Sequence, residues 1–145
     1  MLLPLWEFFL GEKMKVLSIR EPYVSAIKEG IKHIETRSFK TSYRGELYIH
    51  ASLSKIKESD ERKKRVLSLL QNKNMCYGKI VCKCNLVDCI YMDQDYINNV
   101  EKNKNEYLCG DYQIGRYAWI LENIEILEEE IEAKGQLGIW NYPKK

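Results

Sequence analysis

The sequence lacks most of the signatures that would assign a function directly. It has no phosphate-binding P-loop and no nicotinamide fingerprint, which argues against ATP-driven and redox roles. It has no internal repeat, no low-complexity stretch and no Pro/Gly/Ser-rich linker, so a chain of 145 residues reads as one domain. No run is long and apolar enough to cross a bilayer: the apolar start, MLLPLWEFFLG, has no basic n-region and is interrupted by Pro4 and Glu7. Net charge is scarce too, at +2, and on its own selects no partner. Cysteines number five, and an odd count without an export signal points to free thiols in a reducing, cytoplasmic setting.

What is present is unevenly placed. Residues 14–57 hold nine Lys/Arg against four Asp/Glu, whereas residues 90–145 hold six against eleven. Such asymmetry fits either a basic face or an ordinary solvated surface. Met14 opens MKVLSIREP, which reads like a natural protein start. Residues 1–13 are therefore expected to be an extension and 14–145 the domain.

The local pattern predicts elements in turn. Lys15 to Ile19 reads as a strand. Pro22 suits a helix start and Gly30 a helix stop, giving a helix over 22–29. His33 to Phe39 alternates as a strand, and Glu46 to Ser52 follows a Tyr43-Arg44-Gly45 turn as another. Ser52 or Ser54 is expected to cap a long helix reaching Asn72, and Gly78 to Ile90 is a β-branched strand. A polar helix is expected over Asp93 to Tyr107, with strands at 117–121 and 137–142. Ile124 to Ile131 suits either a strand or a helix. The class is α+β, around a small curled sheet or barrel.

Five stretches, SIREPYVSAIKEG, GIKHIETRSF, YRGELYIHAS, YAWILENIEIL and AKGQLGIWNY, together resemble the ASCH domain, in order and spacing, from about Met14 to Tyr142. Its core pattern, Gly-x-Lys-x-x-Glu-x-Arg, falls on Gly30, Lys32, Glu35 and Arg37. The resemblance implies a PUA-like β-barrel with flanking helices, a cleft lined by this motif, and binding of RNA or another single-stranded nucleic acid, or of a nucleotide-like small molecule. No cofactor is expected. A distant branch hydrolyses acylated cytidines, and some members are described as ribonucleases. That catalytic branch has a Thr three residues after the motif Lys; here the position holds Glu35, and Thr36 faces away.

The residues themselves allow a charged site. In a strand, Glu35 and Arg37 share a face with His33, while Ile34 and Thr36 share the other. Lys32 stands at the strand entrance. Lys32 and Arg37 can hold phosphate, and Glu35 can accept from an exocyclic amine or act as a base. A structural ion pair among the three is the plain alternative. Arg20, Tyr23 and Ser25 flank the first helix, whose N-terminus can hold an anion. Tyr23 either stacks on a base or packs on the barrel, and Arg44 is either a ligand or a solvated turn residue. His50 is either a catalytic base or a structural histidine; a ribonuclease or hydrolase would draw on Lys32, Glu35 and His50. Trp140 is expected at the cleft edge, with Lys134 and Asn141 in reach. Cys82 and Cys84 share a strand face with Ile80 and Leu86 and read as buried thiols rather than a zinc site, so no metal is expected.

Overall fold

The computed structural model describes residues 13–143. Among them six strands form one sheet in the order β2-β5-β4-β3-β1-β6. They are β1 (Met14–Ile19), β2 (Ile34–Arg37), β3 (Gly45–Ala51), β4 (Lys79–Tyr91), β5 (Tyr117–Glu132) and β6 (Ile139–Tyr142). Four helices accompany them: α1 (Tyr23–Lys28), α2 (Glu61–Leu69), α3 (Gln94–Glu101) and α4 (Lys104–Leu108). The class is mixed α+β with a curled, half-barrel sheet consistent with a PUA-like fold. The expected barrel is not closed, because β2 and β6 form its two edges and do not pair.

Alternation explains how the sheet holds its core. Leu47, Ile49 and Ala51 of β3 turn to one face, with Leu17 and Ile19 of β1, and α1 covers them with Val24 and Ile27. Met14, Val16, Tyr48, Ile80 and Trp140 fill a smaller cluster on the opposite face. β1 is therefore buried on both sides, as a central strand should be. The thiols of Cys82 and Cys84 lie in the main core, as the alternation requires, and burial raises both to about 12. Ile80 does not join them: an irregularity in the ladder between Ile80 and Cys82 places Val81 on their side and Ile80 on the other.

Two expected elements differ, and one that the sequence left open takes one of its two forms. The long helix is only Glu61–Leu69, because Asp60 is its cap, accepting from the Lys63 amide, and the chain from Ser52 to Ser59 is not helical. The single polar helix is two, since Asn103 accepts from the Glu106 amide and starts a new one. The ambiguous glutamate run is a strand: β5 continues unbroken for 16 residues, with Asn123 at φ 56 and ladder irregularities absorbing its bend. Of the expected 1–13 extension, residues 1–12 lie outside the described residues. No helix among the described residues is long and apolar enough to cross a membrane.

A cleft opens where the sheet fails to close. β1 and β3 run parallel, in register from Val16 with Tyr48 to Ile19 with Ala51. Their C-terminal ends therefore emerge side by side. β6 covers β1 only from Met14 to Leu17, so Ser18 to Arg20 is left facing open space towards β2.

Candidate functional site

The cleft has a volume of about 820 Å³. One wall is β2 and its sequel, from Glu35 to Phe39; the opposite wall is Ser18 to Arg20, His50 and the loop from Lys134 to Gly138. Arg37 joins them, its guanidinium donating to the Ser18 carbonyl at 3.1 Å. Five cations line the cleft (Arg20, Arg37, Lys63, Arg116 and Lys134) against two carboxylates, Glu35 and Asp111. The excess of positive charge suits an anionic ligand.

The β2 wall starts from Gly30, which at φ 76 ends α1 where a side chain would be strained. The strand that follows is held by α4. The Glu106 carboxylate accepts from the backbone amides of His33 and Ile34 and meets the His33 ring at 3.0 Å, so exposed His33 is bound outside the cleft. Lys32 is buried at 1% exposure. Its ammonium donates to the Ile34 and Cys109 carbonyls, both at 2.6 Å, and lies 3.3 Å from Glu35 Oε1 and 5.5 Å from the Tyr23 ring centre. Glu35 in turn receives Arg37 through its second oxygen, at 2.8 Å. Lys32, Glu35 and Arg37 thus meet as the alternation suggests, but as one bonded chain in which Lys32 stands behind the wall and only Glu35 and Arg37 reach the cleft.

The other wall is differently made. The side chains of Arg20 and Lys134 have no hydrogen-bond or ion-pair partner among the described residues. Below them, the Trp140 indole donates to Ser18 Oγ at 3.1 Å, and Ser18 Oγ lies 2.9 Å from His50 Nδ1. His50 Nε2 lies 2.7 Å from the Ala133 carbonyl, which can only accept. That contact places the ring proton on Nε2, leaves Nδ1 to accept from Ser18, and completes a four-member chain. Burial lowers the His50 pKa, while the Ala133 bond opposes the shift. Gly135 is packed onto this chain: a Cβ there would stand 2.9 Å from both Ser18 Oγ and His50 Cε1. Ser52 Oγ, in the same wall, is buried without a hydrogen-bond partner among the described residues.

The remaining residues named from sequence fall as follows. Tyr23 lines the cleft half-buried, and its burial pushes the phenol up to about 12 against the opposing charge of Arg62. Trp140 is buried beneath the wall, edge-on to His50 at 5.6 Å between ring centres. Arg44 is exposed on its turn, bonded to the Thr41 and Tyr43 carbonyls and 3.8 Å from Asp88, and does not line the cleft. The α1 N-terminus, expected to be free for an anion, is filled by the chain's own Glu21, whose carboxylate accepts from Ser25 and from the Cys76 amide.

Sequence reasoning missed Ser18, Ser52, Lys63, Arg116 and the exposed rim of Phe39, Leu53 and Leu137. The rim had a weak signal, as three large apolar residues in segments otherwise rich in Ser, Lys and Gly. Among the described residues no group of three or more His, Cys, Asp or Glu is set to hold a metal.

No curated protein matches the chain. Residues 17–135, which include both walls of the cleft up to Gly135, match the ASCH domain. A match over most of the chain, on a curled half-barrel with this cleft at its open seam, makes the protein a member of the ASCH domain family.

Proposed function

We propose that the cleft binds RNA or a nucleotide-like ligand. Arg20, Lys134 and the free side of Arg37 hold phosphate, and a base lies against the rim. The observation that carries this reading is the wall of Arg20 and Lys134, two cations without acidic partners among the described residues, beside a cleft of net positive lining. Cations left unpaired next to exposed apolar side chains suit a ligand with charge at one end and a flat ring at the other. Phe39 is the stacking surface best supported, being 48% exposed and held edge-on against Trp119 at 5.8 Å. Glu35 Oε1, met among the described residues by Lys32 alone at 3.3 Å, can also accept from an exocyclic amine, while Oε2 is taken by Arg37.

Lys32 serves this site indirectly, as the counter-ion that fixes Glu35. An acylated-cytidine hydrolase acting through Lys32 has less support, because that ammonium is already engaged by two carbonyls and a carboxylate. Fluorescence anisotropy with a short single-stranded RNA tests the reading. Affinity should fall steeply as salt is raised from about 50 to about 200 mM, by counter-ion release. Absence of binding at the low-salt end would overturn it.

A further inference from the structure

We infer that Ser18 is a nucleophile and His50 its general base, forming an ester-cleaving dyad in the wall of the cleft. The Ala133 carbonyl fixes the His50 proton on Nε2, so the neutral ring offers Nδ1 to the Ser18 hydroxyl at 2.9 Å. A histidine buried at 1% exposure, whose burial disfavours the charged form, stands neutral and ready to accept. The Trp140 N–H occupies one lone pair of Ser18 Oγ, which turns the hydroxyl proton towards His50 and leaves the other lone pair for attack. This is the relation a serine nucleophile needs: a base in hydrogen-bond reach, itself oriented by a third group.

The surroundings fit the chemistry. Both residues line the cleft, Ser18 half-buried and His50 buried behind it. Gly135 leaves the dyad uncrowded at a point where any Cβ would press on both members. Arg37, bonded to the Ser18 carbonyl, brings a positive charge to the cleft beside Ser18.

In the first step Ser18 Oγ adds to the ester carbonyl and His50 Nδ1 takes its proton. The tetrahedral oxyanion collapses, and the leaving alcohol takes that proton from His50, leaving acyl-Ser18. Water then attacks the acyl carbon and gives its proton to His50. Collapse returns the proton to Ser18 and releases the acid, with no oxidant or reductant required. The substrate class is an ester on an anionic, nucleotide-like carrier, an assignment that rests on the ligand reading above.

Labelling of the full chain with a fluorophosphonate, followed by peptide mapping, tests the dyad separately from ligand binding, because the probe needs only a nucleophilic serine. The expected result is a single adduct on Ser18, with loss of fluoride. It should be absent in Ser18→Ala and slowed by at least about 100-fold in His50→Gln, the effect of removing a general base. Should His50→Gln fail to fold, Gly135→Ala provides the second comparison, since its methyl group would displace both members of the dyad and must slow labelling. No adduct on Ser18, adducts scattered over other serines, or equal labelling of parent and variant would overturn the dyad. Anisotropy with the same RNA then shows whether the ligand reading stands without it.

Discussion

The two walls of the cleft use the same kinds of side chain to opposite ends. On the β2 wall, Lys32, Glu35 and Arg37 are bonded to one another and to the carbonyls of Ile34, Cys109 and Ser18. On the facing wall, Arg20 and Lys134 have no acidic partner among the described residues. Charge type alone therefore does not mark a binding residue. What separates the walls is burial: a lysine taken out of water must find partners inside the protein, whereas a cation at the rim can remain solvated until a ligand arrives.

This contrast can be broken first where the effect is largest. Lys32→Met should cost about 3 kcal/mol or more of folding stability, because it strips the part-buried Ile34 carbonyl, the buried Cys109 carbonyl and one side of Glu35 of their donor. Thermal unfolding would show it, and an unchanged Tm would place Lys32 among the free cations instead. Arg37→Ala should do both things at once. It should lower Tm by a smaller amount, since the guanidinium is partly exposed, and weaken RNA binding measured by anisotropy.

A smaller effect concerns acid. Burial lowers the His50 pKa, so the unfolded chain, with an ordinary histidine near 6.5, binds a proton that the folded chain resists. The His50 contribution is thus fully present above about pH 6.5 and declines as pH falls below it towards the lowered folded value. Unfolding midpoints at about pH 7.5 and about pH 5 should diverge more in the parent than in His50→Gln. The smallest effect belongs to Arg44→Ala, on its exposed turn. Stability should change by less than about 0.5 kcal/mol in chemical denaturation, and RNA affinity should stay the same.

The sequence makes the frame of the site legible and leaves its saturation hidden. Gly30 as a helix stop and the two faces of β2 follow from local rules, a positive φ and a period of two, which need no knowledge of the rest of the chain. The family resemblance rests on motifs in fixed order and is carried through by the domain match. The fate of Lys32 was not legible, because its partner carbonyl on Cys109 lies 77 residues away and only the docking of α4 brings it close. The same holds for Ser18 and His50, which meet because β1 and β3 pair in parallel across 32 residues of sequence. The open seam was likewise hidden: nothing local says that β6 stops at the level of Leu17.

The central claim is that Arg20 and Lys134 are the free cations that meet the ligand's phosphates. It is tested most directly by the salt dependence of short single-stranded RNA binding to the parent and to the Arg20→Ala/Lys134→Ala double variant. If each side chain neutralises one phosphate, the slope of log affinity against log salt should become shallower by about 1.4 in the double variant, with Tm unchanged. An unchanged slope in a folded double variant would contradict the claim.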